Sequence, residues 1–487
     1  IRDRYNQSKY YSPSLQYYVP NAYQGLVGRL TYEYASRYLA EFNMGYNGTE
    51  NFAKGKRFGF FPAVSLGWVI SEEKFFPKNN IVKYLKVRGS YGEVGNDQIG
   101  GDRFLYLPSS YGAASDSGVN KYNFGLASNP YTSLMIVENK IGNPDLTWEK
   151  AKKMNVGVDI NLFNNCLTAS FDIFKEKRNN ILANRSTSPM IIGANLPAYN
   201  FGEMENRGWE MDLNFRHHIQ DFHYWARFNY SFARNEIIYM DEVQKRYDYQ
   251  MTTGRRKNQF FGLIFDGYYN SWEEINALDR PKSSWSGNQL QPGDVKYVDV
   301  NQDGVIDDYD MVPIGYTPVP EIIYGFSFGA QYKGFDFSIL FQGADNVSIK
   351  YFGRSMWPFA KGEESAKSLI KERWTQERYE AGEKITFPRL SLNPNGETDH
   401  NYRPSTLWIR DASYLRLKNL EVGYTFTGGF VKRLNLNSVR LYFNGSNLFT
   451  WTDVVDLDPE APSRSGNVEI NTYPLQKVYN IGLNINF

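Results

Sequence analysis

Tyr324-Gly325-Phe326-Ser327-Phe328-Gly329-Ala330-Gln331-Tyr332, a Lys333-Gly334 link, and Phe335-Asp336-Phe337-Ser338-Ile339-Leu340-Phe341-Gln342 form the stretch that decides the fold of this chain. Tyr324, Phe326, Phe328 and Ala330 alternate with Gly325, Ser327, Gly329 and Gln331. After the link, Phe335, Phe337, Ile339 and Phe341 alternate with Asp336, Ser338 and Gln342. A period of two places one set on each face of an extended chain, so each arm reads as a β-strand with an apolar and a polar face. The two-residue Lys-Gly link between them reads as a hairpin turn.

Working outward, the same alternation recurs along the chain. Tyr479, Ile481, Leu483, Ile485 and Phe487 alternate with Asn480, Gly482, Asn484 and Asn486. Val156, Val158, Ile160 and Leu162 alternate with Asn155, Gly157, Asp159 and Asn161, and Trp209, Met211, Leu213 and Phe215 with Glu210, Asp212, Asn214 and Arg216. Residues 36–47 repeat the pattern with Tyr38, Ala40, Phe42, Met44 and Tyr46. Around Lys418-Asn419 the phase flips, which predicts a β-bulge inside one strand. Thirteen long strands are expected, near 22–33, 36–48, 58–71, 83–95, 148–162, 166–178, 204–216, 222–236, 320–332, 335–345, 410–427, 438–450 and 476–487.

The spacing between strands separates two architectures that alternation alone does not. Connections at 34–35, 72–82, 163–165, 217–221, 333–334 and 428–437 are short, and those at 49–57, 96–147, 179–203, 237–319, 346–409 and 451–475 are mostly long. Short turns at one end and long loops at the other are the signature of an outer-membrane barrel, whereas a soluble domain seldom carries such loops. Polar-face residues that are charged or amide-bearing fit a wet lumen. The fold class expected is therefore all-β, a transmembrane antiparallel β-barrel.

Composition agrees. Of 487 residues, 37 are Tyr and 33 Phe; an aromatic load this heavy fits a wall facing lipid with aromatic girdles. Mean hydropathy is -0.54, and no apolar run long enough for a transmembrane helix is present. A formal net charge of +1 argues against nucleic acid as a partner. A single cysteine, Cys166, excludes an intrachain disulfide. The chain starts at Ile1 without a signal peptide, so the start reads as an internal point of a longer protein. An odd strand count in a fold that uses even numbers predicts further strands before Ile1, because an open edge cannot face lipid. Residues 1–487 thus read as the C-terminal portion of one barrel domain.

Ordered landmarks then resemble a known family. They are Gly28-Arg29-Leu30 with Tyr32 and Tyr34, Phe61-Pro62-Ala63-Val64-Ser65-Leu66-Gly67-Trp68, and Leu85-Lys86-Val87-Arg88-Gly89-Ser90-Tyr91-Gly92 with Gly95-Asn96-Asp97. Asn143-Pro144-Asp145-Leu146-Thr147-Trp148-Glu149 and Asn206-Arg207-Gly208-Trp209-Glu210 follow. Tyr414-Leu415-Arg416-Leu417-Lys418-Asn419-Leu420, Asn447-Leu448-Phe449-Thr450 and Asp458-Pro459-Glu460 complete the series. Their order over nearly the whole chain resembles the SusC/RagA proteins, TonB-linked outer-membrane transporters of Bacteroidetes type. The resemblance implies a barrel of about 22 strands, an N-terminal plug and TonB box that are absent from this sequence, and a SusD-like surface lipoprotein as lid. It implies outer-membrane import of glycan oligosaccharides or peptides, and an outward row ending in Phe487 (Tyr479, Ile481, Leu483, Ile485, Phe487) that the membrane-insertion machinery reads. The alternative is a surface-assembly or secretion-associated barrel; a soluble glycan-binding protein fits the loop alternation poorly.

Few motifs carry chemistry. Asp299-Val300-Asn301-Gln302-Asp303-Gly304-Val305-Ile306-Asp307-Asp308-Tyr309-Asp310 matches a calcium loop, with hard oxygen ligands at alternating positions and Gly304 at the sharp turn. Expected Ca²⁺ ligands are Asp299, Asn301, Asp303, the Val305 carbonyl, Asp307 and Asp310; a metal-free turn of Asx residues is the alternative. His217, His218 and His223 cluster near a turn, without the further ligands a zinc site needs. Residues 362–381 read as an amphipathic helix with Leu369, Ile370, Arg373 and Trp374 on one side. Tyr111, Trp272, Trp285, Trp357 and Phe359 are loop aromatics that could stack on cargo. No nucleophile elbow, phosphate loop or HExxH motif is present, so an enzyme is not expected.

Overall fold

The computed structural model describes residues 22–98, 103–107, 112–113, 121–125, 131–134, 136–137, 141–187, 196–285, 290–351, 356–359, 368–391, 399–455, 457–460 and 474–487. Its wall is one antiparallel sheet of thirteen strands in strict sequence order. The strands are β1 Tyr23–Tyr34, β2 Tyr38–Thr49, β3 Phe58–Val69, β4 Val82–Asn96, β5 Glu149–Leu162, β6 Leu167–Ala183, β7 Tyr199–Ile219, β8 Phe222–Tyr239, β9 Ile322–Tyr332, β10 Phe335–Asp345, β11 Tyr414–Phe426, β12 Ser438–Thr452 and β13 Val478–Asn486. Nearest-neighbour order throughout is what a meander of hairpins gives, and it is the topology of an outer-membrane wall.

The turns at one end follow from local chemistry. Lys333 and Gly334 both take positive φ, 44° and 91°, the backbone that lets a two-residue hairpin match strand twist. Ala35 and Ser36 do the same at 53° and 55°. The β11–β12 link holds a short helix, Phe430–Arg433. The expected bulge is present: against β10, Leu340 pairs with Asn419 and Phe341 with Leu417, so Lys418 is the extra residue.

Three boundaries differ from expectation. β6, β7 and β8 run to 17, 21 and 18 residues, so the loop expected at 179–203 shrinks to 184–198. Their charged outer parts are held across the ladder, where Lys175 reaches Glu205 at 2.8 Å and Lys177 reaches Glu203 at 2.9 Å, and the added residues 179–183 and 199–203 lie beyond register shifts between Arg178 and Leu182 that break the alternation. β11 starts at Tyr414, and Ile409–Asp411 pairs instead with Ser348–Lys350. Residues 368–381 are not one helix. A 3₁₀ turn, Ser368–Glu372, and an α-turn, Gln376–Glu380, flank Trp374. Thr375 caps the second with an extended φ of -139°, and the Trp374 amide donates to the Phe387 carbonyl; the remainder of 362–381 lies outside the described residues.

The two faces of the wall divide as the alternation predicts. Tyr38, Phe42, Trp68, Val156, Ile173, Phe326, Phe328, Leu441 and Ile481 are all strongly exposed, and the register places them on a common face. A water-facing sheet would bury such a face; a lipid-facing sheet presents it. In β6 and β7 this face changes from Ile173 and Trp209 to Lys175 and Arg207 one step further out, which marks the outer limit of the hydrocarbon.

Candidate functional site

The functional candidates are the inner face of the wall and the loops above it. On the inner face, opposite charges are stapled across three strands at two places. Arg88 of β4 lies across Gly157 of β5 and donates to both carboxylate oxygens of Asp172 on β6, at 2.7 and 2.6 Å. Its Nε donates to Asp159 Oδ2 at 3.1 Å. A Cβ on Gly157 would stand 2.6 Å from Asp172 Oδ1 and 2.7 Å from Arg88 Cζ, so glycine is the residue that lets the guanidinium cross. Arg440 of β12 repeats the device over Gly423 of β11, donating to Asp336 of β10 and, at 2.5 Å, to Glu421. Planar guanidinium forks suit such two-oxygen contacts. A cavity of about 500 Å³ opens on this face beside Glu33, Glu41, Lys86, Arg88 and Asn155. The inner face is therefore polar and internally neutralised, suited to water and to polar cargo rather than to lipid.

At the opposite end from the tight turns, the long loops form a packed cap. Its core gathers Leu263, Val295, Tyr297, Ile306, Tyr351, Trp357, Trp374, Phe387, Tyr402 and Trp408. Trp408 stacks on Tyr402 at 5.3 Å, meets Phe387 edge-on at 5.4 Å, and donates its indole N–H to the Asn401 carbonyl at 2.8 Å. Loop 237–319 is knitted to loop 346–409 by polar contacts. The Val295 amide donates to Asn401 Oδ1 at 2.9 Å, and Asn401 Nδ2 donates to Asp294, which Arg389 also pairs at 2.6 Å. His400 is buried, with Nε2 2.8 Å from the Val295 carbonyl. A carbonyl only accepts, so Nε2 carries the proton and Nδ1 accepts from Ser283 Oγ at 2.9 Å. Burial pushes this imidazole's pKa down.

Two buried ionic joints fasten the cap to the wall. Arg416 of β11, 2% exposed, donates to Asp458 at 2.6 Å and Glu460 at 2.5 Å, and Tyr414 Oη donates to Glu460 at 2.5 Å. Glu321 accepts from Arg234 of β8, from Arg256 and from Asn346. The sequence marks Arg416 and the Asp458-Pro459-Glu460 run as separate landmarks; nothing in it pairs them. His400, Asp294 and Glu321 carried no signal at all in the sequence.

The expected site residues fall as follows. In the 299–310 loop, Gly304 takes φ +81° with open space where a Cβ would sit, and Ile306 is buried in the cap core. Asp299 accepts from the Gln302 and Gly304 amides at 2.7 and 2.8 Å, Asn301 from Asp303, Asp303 from Val305, and Asp307 from Tyr309. Asp310 is fully buried and accepts from Val300 and Asp307 at 2.8 and 2.9 Å; burial holds its carboxyl above the usual range. Among the described residues no three His, Cys, Asp or Glu side chains converge as a metal cage. A carboxylate has about four lone-pair sites, so Asp299, Asp303 and Asp307 retain acceptor capacity beyond these bonds. His217 and His218 lie within β7 rather than in its turn, His218 stacks on His223 at 5.5 Å, and Cys166 Sγ is 3.5 Å from His217 Nδ1.

Trp357 is buried in the cap and closed to cargo. Trp285 carries the Arg403 guanidinium 4.0 Å over its ring, Phe359 is half-buried, and Trp272, at the start of the short helix Trp272–Asn276, is exposed. Tyr111 lies outside the described residues. Tyr479, Ile481, Leu483, Ile485 and Phe487 are all exposed, and the first four lie on the outward face of β13.

Comparison with known proteins agrees with this architecture. Residues 2–448 match the family model described as TonB dependent receptor-like, beta-barrel. "TonB-dependent receptor P3" of Formosa agariphila is 28% identical over 479 residues, covering 94% of this chain and 45% of that protein. "TonB-dependent receptor SusC" of Bacteroides thetaiotaomicron is 28% identical over 477 residues, covering 97% and 44%. The chain thus spans just under half the length of these relatives. Among solved structures, the RagAB peptide importer in its "open-open" state superposes with a TM-score of 0.72 at 23% identity, covering 96% of this chain and 47% of the other. A family match over this length, carried by a thirteen-stranded two-faced wall, makes the chain a member of the TonB-dependent receptor-like β-barrels of the outer membrane, of SusC/RagA type.

Proposed function

We propose that this chain forms wall, lumen lining and outer loops of an importer that takes glycan oligosaccharides or peptides across the outer membrane, driven through TonB and closed by a SusD-like lipoprotein lid. The observation that carries this reading is the pairing of a polar, internally neutralised inner face with a rigid aromatic cap at the long-loop end. A lumen lined by fixed, satisfied ion pairs passes polar cargo without holding it, and a cap with its own core gives a lid a firm seat. Among the described residues, β1 and β13 each pair on one side only; further strands joining these edges would close a wall of about 22 strands. The outward row Tyr479 to Phe487 is assigned to recognition by the insertion machinery.

Deletion of the gene is expected to abolish growth on one class of oligosaccharide or peptide, and a surface lipoprotein is expected to co-purify with the barrel. Unchanged uptake of every cargo tested, with retained contacts to secreted proteins, would replace the importer with the surface-assembly reading. Within the cap, the 299–310 loop is proposed to take Ca²⁺ through Asp299, Asn301, Asp303, the Val305 carbonyl, Asp307 and Asp310, a reading supported by the ligand spacing and the left-handed Gly304.

A further inference from the structure

Among the described residues, the β3–β4 connection differs from the tight turns at its end of the wall. Residues 70–81 begin with a 3₁₀ turn, Ile70–Glu72, and then fold back on the sheet. The carboxylate of Glu73, 8% exposed, accepts from Tyr38 Oη at 2.5 Å and Trp68 Nε1 at 3.0 Å on one oxygen, and from Arg37 Nη1 at 3.3 Å on the other. Tyr38 pairs with Trp68 in register, and both belong to the outward, lipid-facing set. The turn that supplies Glu73 therefore lies against the outside of the wall, not under its lumen. Two residues on, Phe75 meets the Trp68 ring edge-on at 6.4 Å yet remains 68% exposed. Tyr34 and Leu66, outward and exposed, continue the patch.

We propose that residues 70–81 form a membrane foot, a folded turn that seats Phe75 in the interfacial layer of the periplasmic-side phospholipid leaflet. Aromatic girdles are built from strand residues; here a connection outside the strands is bent up to join one. The exposed ring is fixed in place by an ionic anchor, so its exposure is built rather than incidental, and water is a poor solvent for it. The occupant is the lipid interface because the patch continues the lipid-facing belt without a break, and aromatic rings favour that layer. The charge of Glu73 is compatible with this position because three donors satisfy it. The hydroxyl of Tyr38, the Trp68 indole and Arg37 hold its carboxyl below the usual range. Lys74 and Lys78, exposed on either side of Phe75 in sequence, suit the phosphate level just beyond.

The sequence holds one cysteine, so Cys166→Ser, with any cysteine in the rest of the barrel also replaced, gives a background that accepts single spin labels. Phe75→Cys, Ile173→Cys in the belt and Asn80→Cys in the same turn would be labelled and the protein placed in phosphatidylethanolamine–phosphatidylglycerol vesicles. Collision rates with oxygen, which partitions into lipid, and with a water-soluble nickel chelate are then read. The label at 75 is expected to prefer oxygen as the label at 173 does, while the label at 80 prefers the chelate. Adding Glu73→Ala is expected to abolish the oxygen preference at 75 and leave that at 173 unchanged. A chelate preference at 75 puts the foot in water, and shielding of 75 from both reagents puts it against protein; either outcome overturns the proposal, as does an unchanged preference in the Glu73→Ala background.

Discussion

The outward face of the wall and the core of the cap are built from the same aromatic and branched side chains and treat them oppositely. Phe326 stacks on Phe341 in the wall and is still 37% exposed, and Ile481 is 81% exposed. Trp408 and Phe387 in the cap are 2% exposed each. The difference is one of solvent. In lipid a strand needs only its ladder hydrogen bonds and an apolar surface, since acyl chains pack against the rings. In water the loops must bury their rings against one another and satisfy every polar group they bury with them. The wall therefore has no interior of its own, whereas the cap has one.

Truncations make the largest difference between the two. Trp408→Ala removes a stacked, hydrogen-bonded ring from a closed core, and a loss of about 3–5 kcal/mol is expected. Hydrogen exchange of the 263–268, 295–297 and 401–409 amides should accelerate while the wall strands stay protected. Phe326→Ala in the wall is expected to cost under about 1 kcal/mol in vesicles, because lipid replaces the ring. Equal losses at the two positions, measured by urea unfolding from vesicles, would dissolve the comparison. A charge reverses the ranking within the wall: Phe326→Arg is expected to cost about 2–4 kcal/mol near the bilayer centre, an effect that shrinks when the same variant is unfolded from short-chain detergent micelles.

That contrast also explains what the sequence disclosed. Period-two alternation comes from the pleat itself, so strands, turns, the Lys418 bulge and the lipid face were legible from residues such as Phe326 and Ile481. The outer ends of β6 and β7, residues 179–183 and 199–203, were missed because register shifts between Arg178 and Leu182 break the period of two there. In the cap, partners lie far apart in sequence: Val295 meets Asn401, and Arg416 meets Glu460. No period links such pairs, so Trp357 read as a cargo aromatic when it is core, and a helix was expected where Trp374 turns inward. Glu321, His400 and Asp294 join loops through single contacts that composition does not mark.

Calcium should act on the cap alone. Extracellular calcium modules bind at about 10⁻⁴–10⁻³ M, so 10 mM Ca²⁺ (roughly 10–100 times that) is expected to stabilise the cap by about 1–3 kcal/mol. Chelation should then lower protection of the Ile306 and Val295 amides and leave β5–β8 untouched. No change on chelation, and none in Asp299→Asn with Asp303→Asn, would leave the loop as a chain of Asx turns. The wall serves as the internal control because its ion pairs, Arg88 with Asp172 among them, involve no carboxylate of the 299–310 loop.

The smallest expected effect is on acidity, and it also separates the regions. His400 sits in the cap core with its pKa pushed below the ordinary value, chiefly by burial, although Asp294 and Asp399 nearby favour its charged form and Arg403 opposes it. An unfolded chain restores the ordinary value of about 6.5. Between the two values the unfolded loops bind the proton and the folded cap does not, so cap stability is complete above about pH 6.5 and declines as the pH falls below it. Protonation would also turn Nδ1 into a donor facing the Ser283 hydroxyl, which must then rotate to accept. Hydrogen exchange of the 295–297 and 400–402 segments at pH 7.5 and pH 5.5, each corrected for intrinsic rate, should show protection lost at the lower pH in the native protein. In His400→Gln, whose amide can donate to the Val295 carbonyl and carries no charge at either pH, that loss should vanish while the protection of β9 and β10 stays level throughout. A pH-dependent loss that persists in His400→Gln would rule the imidazole out as its source, and with it the reading of buried His400 as the weak point of the cap.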